Sequence, residues 1–120
     1  LSQQNAAGLI LRLLQRLLVA DWRDVETRVL LAGLSQVRGE TGAALDWLYA
    51  ARGHAGDAQV HARLTGRIRT LVAAESGALQ AAGDDAGLLG LYRQLTQLEP
   101  EYAPYFIVLA EAQLALGDTA

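Results

Sequence analysis

The chain has 120 residues, room for one domain or a few repeat units around a sizeable core, and a second large domain is excluded. Ala and Leu fill 22 and 23 positions while Val, Ile and Thr together fill 16, a surplus of helix formers over β-branched residues that predicts an all-α fold. Ten basic side chains stand against 13 acidic ones, a net charge of −3, so no nucleic-acid partner is expected.

There is no cysteine, which removes disulfides, thiol nucleophiles and Cys-ligated metals but leaves the compartment open, cytoplasmic or periplasmic and envelope-associated. The sequence opens on Leu1 and contains no methionine, and is expected to be a piece of a longer polypeptide. Abundant Ala, Leu and Arg without any Lys point to a GC-rich bacterial source.

The first predicted helix covers 5–20, where Leu9, Ile10, Leu13, Leu14, Leu17 and Leu18 recur at the spacing of one helical face, with Arg12, Gln15 and Arg16 between them. Arg12 and Arg16 beside that face would also suit a membrane surface, but burial against a neighbouring helix explains the same pattern and is preferred. Asp21 or Asp24 can cap the second helix, along which Val25, Val29, Ala32 and Val37 recur until Gly39. Thr41 can cap a third carrying Ala44, Leu45, Leu48 and Ala51, and Gly53 and Gly56 break it. Trp22 and Trp47 read as inter-helix packing.

Asp57 is a further N-cap, and Val60, Leu64, Ile68, Leu71, Val72 and Leu79 keep a helical stripe over 58–82 despite Gly66 and Gly77. Asp84 or Asp85 opens a fifth helix through Leu98. Pro100 marks the next turn, and Pro104 suits the first turn of a sixth helix ending near Leu116 and Gly117. No strand is predicted, and no apolar run approaches the roughly 18 residues that span a bilayer. All breaks are short, so residues 1–120 read as a single domain.

Chemistry is sparse. His54, Asp57 and His61 lie within two helical turns, but two imidazoles and a carboxylate without further ligands favour capping or solvated roles over a metal. Asp84, Asp85, Glu99 and Glu101 are assigned to helix starts, where negative charge complements the helix dipole, instead of to acid and base work. No phosphate loop and no Gly-x-Ser-x-Gly elbow occur. No catalytic residue, cofactor or metal is therefore expected in this chain. Arg63, Arg67 and Arg69 form a local basic patch assigned to intramolecular pairing or solvent.

Gly83-Asp84 recurs 34 residues later as Gly117-Asp118, and Gly39-Glu40 is a further copy upstream. Ala44, Leu48 and Ala51 follow Gly39 at the offsets at which Leu88, Tyr92 and Leu95 follow Gly83, with Pro100 eight residues after Tyr92. Phe106, Leu109 and Ala110 open the last helix. On these residues the chain resembles the tetratricopeptide repeat, a 34-residue helix-turn-helix unit, best over 83–118 and more weakly over 25–52. It departs from that pattern at Leu88, Ala110 and Gln113, and no Pro closes the Gly39 unit. The first two copies lie 44 residues apart, and the surplus is assigned to a longer first helix in the middle unit.

The resemblance implies antiparallel helix pairs stacked as a short right-handed solenoid of about six helices, with units near 25–52, 58–98 and an incomplete 103–120. It further implies a concave face that binds a protein or peptide, lined by Glu26, Val29, Leu30, Gly33, Gln36 and Val37. The same pattern adds Thr70, Ala73, Ala74, Gly77, Gln80 and Ala81 from the next repeat, and Ile107, Val108, Glu111 and Leu114 from the last. The specialised clamps for C-terminal carboxylates use Lys and Asn, and this chain has no Lys and only Asn5. Neighbour stacking leaves the terminal helices half covered, so Tyr105, Phe106, Leu109 and Leu116 are expected to be partly bare and to drive homodimerisation. The alternative function is that of a regulatory or substrate-recruiting arm of a larger envelope-associated enzyme, such as a retropepsin-like aspartic protease, which helical repeats of this style can accompany.

Overall fold

A computed structural model of the chain, which describes residues 3–20 and 25–117, places six α-helices and no strand among those residues. They are α1 (Gln3–Ala20), α2 (Val25–Val37), α3 (Thr41–Gly53), α4 (Ala58–Ala81), α5 (Asp85–Leu98) and α6 (Ala103–Ala115). The all-α class and the six elements are those expected from apolar spacing. The surplus between the first two glycine turns lies in α4, which has 24 residues against 13 in α2 and 13 in α6. The proposed caps Asp21 and Asp24, Trp22, Asp118 and the side chains of Leu14, Leu17 and Leu18 lie outside the described residues.

Two glycine turns end helices by the same hydrogen bonds. Gly39 and Gly83 adopt φ of 74° and 68°, a left-handed conformation in which a Cβ would meet the following carbonyl oxygen. Gly39 N–H donates to the Gln36 carbonyl at 3.0 Å and Glu40 N–H to the Ser35 carbonyl at 2.9 Å; Gly83 and Asp84 donate to Gln80 and Leu79 at 3.0 and 2.9 Å. This paired closure satisfies carbonyls that a helix end otherwise leaves open. The acidic residue after each glycine is already the N-cap of the next helix.

Asp84 accepts the Gly87 N–H at 2.8 Å, as expected of a cap. At the other turn the expected cap Thr41 is corrected to Glu40, because the left-handed glycine reverses the chain one residue earlier and leaves Thr41 as the first helical residue. Glu40 makes no side-chain capping bond, and its carboxylate instead lies 3.3 Å from Arg38.

The chain divides into two compact units, Leu1–Leu71 and Val72–Ala120. The boundary falls inside a helix, where no linker or shift of composition marks it. In the first unit α2 packs on α1 and α3. Ala44, Leu48 and Ala51 of α3 are wholly buried, as their offsets from Gly39 predict, together with Leu31 and Ala32 of α2 and Ile68 of α4.

The expected α2 stripe is corrected. Only Ala32 of Val25, Val29, Ala32 and Val37 is buried, and the inward face is Thr27, Arg28, Leu31, Ala32 and Ser35. Ser35 can be inside because its hydroxyl donates to the Leu31 carbonyl at 2.9 Å, which satisfies it within its own helix. The α1 face is corrected too. Ala7 and Leu11 are buried, whereas Leu9, Ile10 and Leu13 remain about half exposed, because α1 is apolar over most of its circumference and α2 covers one strip of it. Arg52 of α3 lies over the Tyr49 ring at 4.8 Å and donates to the Thr65 hydroxyl of α4 at 3.2 Å. Trp47 is half-buried.

The second unit contains α5, α6 and the end of α4, with Leu88, Tyr92 and Leu95 buried at the expected offsets from Gly83. The Tyr92 hydroxyl donates to that of Ser76 at 3.1 Å, which ties α5 to α4. Tyr105 is corrected from partly bare to buried. Its ring meets Tyr92 with centroids 6.0 Å apart and Tyr102 edge-on at 4.7 Å, so it is the residue with which α6 enters the core. Pro104 lies in the first turn of α6, where its missing N–H is not needed.

Two α5 glycines give opposite expectations. Nothing lies within 4 Å of a Cβ at Gly90, so Gly90→Ala should stabilise the protein by about 1 kcal/mol through helix propensity. A Cβ at Gly87 would fall 2.7 Å from Leu79 Cδ2 and against the Asp84 carboxylate that caps α5. Urea unfolding should therefore place Gly87→Ala at least about 1 kcal/mol below Gly90→Ala, since the cap it displaces is worth a similar amount.

Candidate functional site

The described surface holds a cleft of about 620 Å³ inside the first unit, open along one side. One wall is the start of α2, with Val25, Glu26, Val29 and Leu30. The other is the start of α4, with Val60, Arg63, Leu64 and Arg67, and the floor at one end is the turn Ala55-Gly56-Asp57. On each helix the lining residues recur at three- and four-residue steps, so each wall is a single helical face.

Local chemistry sets both walls. Asp57 Oδ1 accepts the backbone N–H of Gln59 at 2.7 Å and of Val60 at 3.3 Å, which starts α4 at the cleft's end. Arg67 Nη2 donates to Gln36 Oε1 at 3.2 Å and would lie 3.6 Å from a Cβ on Gly33. Gly33 thus presents a bare backbone across which the guanidinium rests. Gln36 and Gly33, late in α2, meet Arg67 in the third turn of α4, while the start of α2 lies with the start of α4. The two walls therefore run in the same direction, as two successive reversals through α3 require.

Of the residues expected on a concave face, Glu26, Val29 and Leu30 come together in this cleft, and Gly33 and Gln36 form the seat of Arg67. Val37 is half exposed beyond it. The Thr70 hydroxyl donates back to the Gly66 carbonyl at 3.0 Å, and Ala73, Ala74, Gly77, Gln80 and Ala81 are exposed on the remainder of α4. On α6, Ile107, Glu111 and Leu114 are exposed and Val108 is half-buried.

The residues that face α2 across the cleft are Val60, Arg63, Leu64 and Arg67, which the sequence argument placed in a core stripe and a solvated patch. Their signal was present in the sequence: the four alternate along one face of α4, with each arginine three residues after an apolar residue.

The lining combines apolar side chains, from Val25, Val29, Leu30, Val60 and Leu64, with charged ones, from Glu26, Asp57, Arg63 and Arg67. Such a surface removes apolar side chains from water and orients them by charge. Acid–base chemistry finds no convergent set here. His54 caps the end of α3, His61 is exposed, and no group of three His, Asp or Glu that could hold a metal occurs among the described residues. Asp84 is engaged as a cap, and Glu99 is corrected from a helix start to the C-cap of α5, since its N–H donates to the Leu95 carbonyl at 2.8 Å.

Comparison of the chain with family models, with curated proteins and with solved structures gives no match. No helix among the described residues is long and apolar enough to cross a membrane.

Proposed function

We propose that this chain is a non-catalytic protein-interaction module of tetratricopeptide-like helical repeats, which holds a protein or peptide segment in the cleft between α2 and α4. The observation that carries the proposal is the cleft itself: two helices running the same way, with apolar and charged side chains along both facing walls. The repeat reading draws support from two glycine turns with the same pair of closing hydrogen bonds and from inward residues at the same offsets after each. It also accounts for the length of α4, which carries the surplus between the turns.

Leu30 provides the test, because it is 56% exposed, lines the cleft and can be changed without opening the core. Leu30→Glu should abolish capture of a partner from extract of the source cell while leaving the thermal midpoint unchanged. Retained capture by Leu30→Glu and by Val29→Glu would place the binding surface elsewhere.

Self-association is the second element of the proposal and rests on α6. Phe106, Ile107, Leu114 and Leu116 are 45%, 60%, 72% and 44% exposed, and Leu109 is half-buried beside them. Ile107 and Leu114 lie on the side of α6 opposite the buried Tyr105 and Ala112, Phe106 lies on its flank and Leu116 follows its last residue, so the helix carries apolar residues well beyond the side that is covered. A patch of this kind, on the order of a few hundred Å², favours pairing with a second copy. Sedimentation velocity should show association that rises with concentration and is lost in Ile107→Glu/Leu114→Glu. A monomer at the highest accessible concentration would contradict it.

A further inference from the structure

We infer that the occupant of the α2/α4 cleft is an acidic peptide segment: one large apolar side chain seated against Val29, Leu30, Val60 and Leu64, with carboxylates within about a turn of it facing Arg63 and Arg67. This rests on the binding function proposed above and assigns the chemistry of the partner.

The cleft's own charges decide the sign. Four charged groups line it, two acidic and two basic, but they are not equivalent. The Asp57 carboxylate is engaged with the backbone N–H groups of Gln59 and Val60, at the positive end of α4. Glu26 lies in the first turn of α2, where the helix dipole offsets its charge in the same way. Both carboxylates are therefore partly offset by the helices that carry them.

Arg63 and Arg67 stand in the second and third turns of α4, away from either terminus, so no helix end offsets their charge. Arg63 is exposed, and no hydrogen bond or ion pair to it occurs among the described residues. Arg67 is fixed by Gln36 and by the bare backbone at Gly33, a bond that uses one of the five N–H donors of a guanidinium and holds the rest in place. Two guanidinium groups one turn apart, beside an apolar trough, match a carboxylate-bearing segment. The volume of about 620 Å³ is in the range of sites that enclose several side chains.

Selection of a random 12-residue peptide display library on the immobilised chain tests this, with Arg63→Glu/Arg67→Glu and Leu30→Glu selected in parallel and the fold of each followed by circular dichroism. The expected result is a consensus of a large apolar residue with neighbouring Asp or Glu. In the double charge reversal that preference should turn to Lys or Arg around the same apolar residue. The acidic peptide should lose roughly tenfold in affinity for the reversed protein and weaken with added salt, as partly exposed charge pairs do. A consensus that is apolar but indifferent to charge, or unmoved by the reversal, would overturn the acidic assignment while leaving the cleft as a binding site. Failure to enrich any peptide sensitive to Leu30→Glu would overturn the binding function itself. If the reversal disturbs the spectrum, Arg63→Glu alone, at an exposed position, carries the same comparison.

Discussion

A left-handed glycine placed directly before an acidic N-cap is the constraint from which the rest of this structure follows. At Gly39 and Gly83 the chain ends one helix and begins another with three residues between them, and the closing hydrogen bonds use carbonyls that the helix would otherwise leave to water. So short a reversal makes consecutive helices antiparallel neighbours. Their apolar faces can then be buried locally, by Leu31 and Ala32 of α2, which packs on α3, in one unit and by Leu88, Tyr92 and Leu95 of α5 in the other. A residue other than glycine would carry about 1–2 kcal/mol of steric cost in that conformation, a large fraction of a small domain's stability.

In the first unit, the reversal at Gly39 and the break at Gly53 to Gly56 together return the chain to its original direction, which brings α4 alongside α2. The cleft is the seam between them. Val29 and Val60 are short side chains in its lining, and Arg67 is drawn across to Gln36 over Gly33. Short apolar groups line the open volume, and Arg63 and Arg67 add two guanidinium groups to one wall.

The all-α class, the six helices and most of their ends were legible in the sequence because each end is marked by chemistry: Gly39, Gly83 and Gly117, the acidic residues after them, Asp57 and Pro104. The inward positions of α3 and α5 were legible for the same reason, since they are counted from a glycine turn. α2 and α1 were less so. Thr27, Arg28 and Ser35 are buried in α2 at the expense of Val25 and Val37, and a pattern of apolar residues has no means of showing that a hydroxyl is satisfied by its own helix. α1 has apolar residues on several sides, so only its neighbour decides that Ala7 and Leu11 go inside.

The candidate site was legible on one wall. Glu26, Val29 and Leu30 were expected there, but the facing wall was assigned to residues 70–81. The surplus residues in α4 moved the repeat register past Val60, Arg63, Leu64 and Arg67. Tyr105 was misassigned for a related reason: treating α6 as a bare end overlooked that one aromatic residue must anchor it to Tyr92.

The account stands on the seam between α2 and α4 being where a partner makes contact. Amide chemical-shift mapping of the isotopically labelled chain, titrated with a peptide that it selects, addresses this directly. The account predicts perturbations confined to 25–36 and 55–67, with the largest at Leu30, Val60 and Arg67. Perturbations centred on α5 and α6, with that seam unmoved, would contradict it.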